Sequence, residues 1–379
     1  MKIVLTGGGT GGHFYPLIAV AEQIHEMVNE RKLLEPQLFY IGPEPFDAAA
    51  LLAQAIEYRP SPAGKLRRQG GAIRNFFDIF KTSWGVVGAT FQLFSLYPDV
   101  VFSKGGYAAF PTLCAARLLR IPVIIHESDA TPGIVNKWSS SFARWIGIAH
   151  PDAAKGFSPK VQEKIALVGN PIRKEIEHPA DEGGHEFLKL DTSVPTLFVL
   201  GGSQGAETIN NVILDALPNL LPKYNIVHQT GKDNVEEVEA IAKPIIDSMR
   251  FENRYRTFGL LNTLAIRMIA GISDLVISRA GSGTIYEIAS WGIPSILIPI
   301  PEDISHDQTK NAFSYARSGA AVVLKQRNVT KHILEAEIDR IINDAKMKEE
   351  MSKAAKSFAR PGSAAKIARI ILDTALEHA

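Results

Sequence analysis

Apolar and polar positions alternate between two patterns along the chain, and the sequence of patterns occurs twice. Short apolar, β-branched runs recur at Lys2–Thr6, Gln37–Ile41, Val100–Phe102 and Pro122–Ile125. Each is of strand length and without the in-out alternation of a half-exposed strand. Longer segments with helical spacing separate them, as in Pro16–Ile24, so the first half predicts parallel strands joined by right-handed crossovers. After Val168-Gly-Asn-Pro171 and the polar stretch Glu177–Gly184 the theme restarts at Thr196–Leu200, followed by a glycine turn and the helical Glu207–Leu217. Further strands are expected at Tyr224–Gln229, Leu275–Ser278, Ser295–Pro299 and Ala321–Leu324. The expectation is two α/β domains, residues 1–168 and 169–359, followed by helix that Pro361-Gly362 interrupts.

Three glycine clusters sit where a strand passes into a helix. Gly7, Gly9 and Gly12 keep G-x-G-x-x-G spacing, which lets backbone N–H groups approach an anion at a positive helix end. A dinucleotide site also wants an acidic residue after the second strand, but Gln37–Ile41 runs into Gly42-Pro43, so NAD is discounted and no cofactor is called for. His13 follows the last glycine, where the helix end disfavours imidazolium and a neutral ring can accept a proton; capping or orientation is the plainer role. Gly201-Gly-Ser-Gln-Gly205 offers N–H groups and the Ser203 hydroxyl to a diphosphate. In Ser278-Arg-Ala-Gly-Ser-Gly283, Arg279 can neutralise phosphate, and Glu287 beyond it can accept both ribose hydroxyls.

The charge balance makes such recognition local. Lys+Arg number 41 against Asp+Glu 40, a net charge of +1, so no broad field points to nucleic acid. With 46% hydrophobic and 21% charged residues the chain is ordinary globular material. Cys114 is the single cysteine and Ile3–Leu5 is far too short for a secretory signal, which together favour a reducing cytoplasm. No apolar run reaches the ~18–20 residues of a membrane span. His126-Glu127 and His306-Asp307 each lack a third partner, so no metal is expected. Ser203 does not stand in a G-x-S-x-G elbow, which disfavours acyl transfer.

The ordered motifs Gly7-Gly-Gly-Thr-Gly-Gly-His13, Ser103-Lys-Gly-Gly-Tyr107, His126-Glu127 with Asn136-Lys137, Gly169-Asn-Pro-Ile-Arg173, Gly201-Gly-Ser-Gln-Gly-Ala206, Ser278-Arg-Ala-Gly281 with Glu287, and Gln308 with Asn311-Ala312 resemble the MurG family of glycosyltransferase family 28. The resemblance implies a GT-B fold, two Rossmann-like domains with parallel sheets facing across a cleft. It also implies that the C-terminal helix, residues 360–379, returns to the N-terminal domain. It further implies inverting transfer of N-acetylglucosamine from UDP-N-acetylglucosamine to the C4 hydroxyl of the muramyl unit of lipid I, giving lipid II for peptidoglycan. On this resemblance Arg173 and Ser203 bind the diphosphate beside Arg279, Glu287 holds the ribose, Gln308 reads the donor sugar and Phe258 covers the uracil. Thr10, Gly11, Gly12, Gln204, Gly205, Gly281 and Ser282 complete the donor side. Gly105, Gly106, Tyr107, His126, Glu127 and Asn136 surround the acceptor with His13. The chain departs from the family pattern at Ala108-Ala109, Ser128-Asp129 and Asp307.

The implied chemistry needs one base. His13 is the first candidate and Glu127 the second. A lipid-borne acceptor would place the protein peripherally on the cytoplasmic face of the membrane. Lys65, Arg67, Arg68, Arg74 and Lys81 outnumber Asp78 in a stretch where Phe76, Phe77, Phe80 and Trp84 form either a face for an anionic membrane or a core-facing stripe. Alternatives are a GT-B transferase for another lipid acceptor, a UDP-sugar epimerase of similar architecture, and a non-catalytic nucleotide-sugar binder.

Overall fold

A computed structural model of the chain describes residues 1–9, 11–65, 72–180, 182–202, 205–302 and 308–378. It divides into two compact units, Met1–Arg173 with Gly362–Ala379, and Lys174–Pro361. Both are α/β, each built on one parallel sheet.

The first sheet contains β1 (Lys2–Thr6), β2 (Gln37–Gly42), β3 (Ile56–Pro60), β4 (Val100–Ser103), β5 (Val123–Glu127), β6 (Trp145–Ile148) and β7 (Ile165–Leu167). They lie in the order β3-β2-β1-β4-β5-β6-β7. The second sheet contains β8 (Thr196–Leu200), β9 (Asn225–Gln229), β10 (Tyr255–Phe258), β11 (Leu275–Ser278), β12 (Ser295–Leu297) and β13 (Ala321–Val323), in the order β10-β9-β8-β11-β12-β13. All nine expected strands form. Four were not expected: β3, β6, β7 and β10.

In both sheets the strand order reverses beside the first strand, between β1 and β4 and between β8 and β11. Successive connections there leave to opposite faces and open a crevice at the carboxyl ends of the strands, where α/β sheets bind ligands. Thr6 pairs with Ser103, and Leu200 with Ser278, so the glycine turns that follow begin side by side.

Packing fixes these ends. One face of the first sheet is covered by the helix Gly11–Glu30 and by the last helix, Ser363–His378, which joins Leu17, Ile24 and Val28 to Ile367, Ile371 and Leu372 in one core. The break before that last helix falls where expected, with Gly362 at φ +71°. The other face is covered by Ala72–Leu96 and Phe110–Leu118, through Ala89, Leu93, Leu113 and Ala116. In the second unit Ile209, Ile213 and Leu217 meet Leu334, Ile338 and Ile341. No helix among the described residues is long and apolar enough to cross a membrane.

Candidate active site

In the first unit the turn after β1 carries Gly7, Gly8 and Gly9, all at positive φ, into the helix that begins at Gly11. A Cβ on Gly9 would come within 2.9 Å of the Tyr107 ring and hydroxyl, so the two glycine turns approach closely only because that atom is missing. The buried Tyr40 hydroxyl donates to the Gly7 carbonyl at 2.7 Å and pins the turn from below. His13, third residue of the helix, is half-buried, with Nε2 4.0 Å from the position a Gly106 Cβ would take. Burial, and then the Lys104 charge, hold its pKa down to about 4. The ring is therefore neutral at neutral pH.

His126, Glu127 and Asn136 lie beneath the turns, and all three are buried. His126 donates from Nε2 to the Gly169 carbonyl at 2.8 Å, which leaves Nδ1 as an acceptor facing Lys104 Nζ at 2.6 Å. Glu127 accepts from the Asp129 N–H on Oε1, and from the Gly133 N–H and Asn136 Nδ2 on Oε2, each at 2.9 Å. Burial and the neighbouring Asp129 push its carboxyl up to about 7. Asn136 lies against Gly105, where a Cβ would be 2.5 Å from its Oδ1.

In the second unit Gly205 closes the turn after β8 at φ +76°, and a Cβ there would strike Asn234. Phe258 ends β10 and is half-buried. Arg279 follows β11 and donates from Nη1 to the Ile298 carbonyl at 3.1 Å and to Gln326 Oε1 at 2.6 Å. Gly281 precedes the helix Ser282–Trp291, which carries Glu287. Gln308 Oε1 accepts from the Ile300 N–H at 3.1 Å and the Ala280 N–H at 3.4 Å, so its amide nitrogen is the end left to donate outward. These residues all follow strand carboxyl ends of one sheet. Arg173 belongs instead to the first unit, its guanidinium 4.8 Å above the Tyr15 ring. Thr10, Ser203, Gln204, His306 and Asp307, with Arg67 and Arg68, lie outside the described residues.

Sequence reading gave no role to Tyr15, Tyr40 and Gln326, nor to Lys104, which it quoted only within Ser103-Lys-Gly-Gly-Tyr107. The signal for Lys104 was a lysine between a buried strand and a glycine pair; nothing local marked Gln326.

The membrane-face candidates are exposed. Phe80 is 60% and Trp84 73% accessible, and Phe76 and Phe77 stand out beside them. The stripe continues through Val87 to Phe91 and Phe94, each of the last two 71% accessible, while Ala89 and Leu93 point into the core.

Two parallel sheets with glycine turns at their reversals give the chain a GT-B-like fold. Residues 3–148 match the family 28 N-terminal domain and residues 196–367 the family 28 C-terminal domain. The chain belongs to glycosyltransferase family 28 and is a hexosyltransferase. Within it, the chain belongs with the UDP-N-acetylglucosamine–N-acetylmuramyl-(pentapeptide) pyrophosphoryl-undecaprenol N-acetylglucosamine transferases. It is 34% identical to the one from Treponema denticola, over 92% of this chain and 89% of that protein. It is also 34% identical to the one from Halothermothrix orenii over 99% of each. The crystal structure of Acinetobacter baumannii MurG matches with a TM-score of 0.74 at 26% identity, covering 98% of this chain and 99% of that one.

Proposed function

We propose that the protein transfers N-acetylglucosamine from UDP-N-acetylglucosamine to the C4 hydroxyl of the muramyl unit of a polyprenyl-pyrophosphate-linked acceptor, with inversion. The observation that carries this is the pair of glycine turns at the reversal of each sheet, with an accessible neutral imidazole at the first pair. The second unit takes the donor: Arg279 meets the diphosphate, Glu287 the ribose, Gln308 the sugar hydroxyls and Phe258 the uracil. The first unit takes the acceptor on Gly105, Gly106 and Tyr107.

His13 is the base. Glu127 has the pKa better matched to neutral pH, but accessibility decides between them. Its oxygens already accept three hydrogen bonds and it is 4% exposed, so it braces the segment to Asn136. In the transfer, His13 takes the proton of the C4 hydroxyl as that oxygen bonds to the anomeric carbon. The bond from that carbon to the phosphate oxygen breaks, and UDP leaves with the electron pair, its charge met by Arg279. A bound pyrophosphate near His13 raises its basicity for this step.

The exposed stripe from Phe76 to Phe94 rests on the anionic cytoplasmic face of the membrane, where such an acceptor is anchored. Release of UDP from UDP-N-acetylglucosamine, with and without a soluble lipid I analogue, tests the reading. Release only with the analogue is expected. Donor binding without release with any acceptor indicates a sensor, and release only with another lipid indicates a different transferase.

A further inference from the structure

The first unit encloses a cation that the transfer step does not use. Lys104 directly follows β4 and precedes Gly105-Gly106, and its side chain is among the largest that are fully buried. Its nitrogen donates to His126 Nδ1 at 2.6 Å, Ser128 Oγ at 2.6 Å and Asn170 Oδ1 at 3.0 Å. An ammonium has three protons and here meets three acceptors, the condition under which a buried charge is tolerated. Ser128 Oγ in turn donates to Asn170 Oδ1 at 3.1 Å, and His126 to Gly169. One nitrogen thus ties the end of β4, the end of β5 and the Gly169-Asn170 segment together beneath the acceptor turns.

We propose that Lys104 is a positioning residue for the transfer: it holds His126 and the Gly105-Gly106 turn in register beneath the acceptor, and its charge is felt at the His13 imidazole. The positioning rests on the reading of the first unit as the acceptor side. Lys104 reaches no substrate itself, since the turn lies over it.

The charges around it set the sign. His13 faces this region from the first helix, Tyr107 from the turn over Gly9, His126 and Glu127 from β5, Asp129 from just beyond it, and His150 from the end of β6. Burial draws Lys104 down to about 7 against the pull of Glu127 and Asp129. It is therefore charged throughout the acid range, where its field, after burial, opposes protonation of both His13 and His126. Removing the charge lets His13 take a proton at higher pH.

Lys104→Met removes charge and hydrogen bonds, whereas Lys104→Gln removes the charge and keeps a donor. Ring NMR of the unliganded full chain, with the His13 signal assigned from its loss in His13→Ala, reads the first effect. In both variants the His13 midpoint should rise by about half to one pH unit. The KM for a soluble lipid I analogue should rise roughly tenfold in Lys104→Met and less in Lys104→Gln, with the UDP-N-acetylglucosamine KM within about twofold. An unmoved His13 midpoint overturns the electrostatic role. Donor and acceptor constants that worsen equally in both variants overturn the positioning role, leaving Lys104 a fold residue. If the wild-type protein releases no UDP with the analogue, the transfer reading fails separately, and the NMR shift still decides whether Lys104 controls His13.

Discussion

Arg279 and Gln326 are joined by a hydrogen bond of 2.6 Å, from guanidinium to side-chain amide oxygen, that links the end of β11 to the turn after β13. The same guanidinium nitrogen also reaches the Ile298 carbonyl, so the charge is fixed before any ligand arrives. A charge-assisted hydrogen bond of this kind is worth about 1.5–3 kcal/mol at most. Gln326→Ala should therefore weaken UDP binding roughly tenfold by calorimetry and leave the acceptor KM unaltered. Unchanged affinity would show that Ile298 alone holds the arginine.

His13→Ala should lower turnover by about 10²–10⁴-fold, the usual contribution of a positioned base. UDP-N-acetylglucosamine binding should stay within about twofold. A loss in kcat below roughly tenfold would assign His13 to orientation.

The pH profile separates the two candidate bases. A base must be unprotonated, so kcat/KM falls below its pKa in the free protein. With His13 held to about 4 and Lys104 charged only below about 7, kcat/KM should stay level from just below pH 7 down to about pH 5. Were Glu127 the base, its elevation to about 7 would start the decline near neutrality. A limb near pH 7 that vanishes in Glu127→Gln would transfer the role.

Replacing Phe80, Trp84, Phe91 and Phe94 together by serine should reduce sedimentation with anionic vesicles by about tenfold or more. Because these side chains project away from the core, the urea midpoint should change little, in keeping with the roughly ±0.5 kcal/mol expected of each surface change. Full retention on vesicles would remove this helix from the membrane contact.

Central strands were readable because both faces of β1, β8 and β11 are covered, which produces uninterrupted apolar runs. The two edge strands of the first sheet were not: Ile56-Glu-Tyr-Arg-Pro60 is mostly accessible and ends in proline, and Ile165-Ala-Leu167 is three residues long. The place of His13 in the first helical turn followed from the glycines before it. The enclosure of His126, Glu127 and Asn136 did not, because polar residues at a strand end or in a short helix read as surface. Gln326 lies 47 residues from Arg279, and only the parallel neighbours β12 and β13 bring the two together.

The final helix, Ser363–His378, completes a core that Leu17 and Ile24 open more than three hundred positions earlier. During synthesis that first body cannot seal until the ribosome has delivered the second, so its apolar wall stays uncovered while the second body is already able to form. Clipping this helix should consequently produce a half-finished, chaperone-bound species, with the second unit intact.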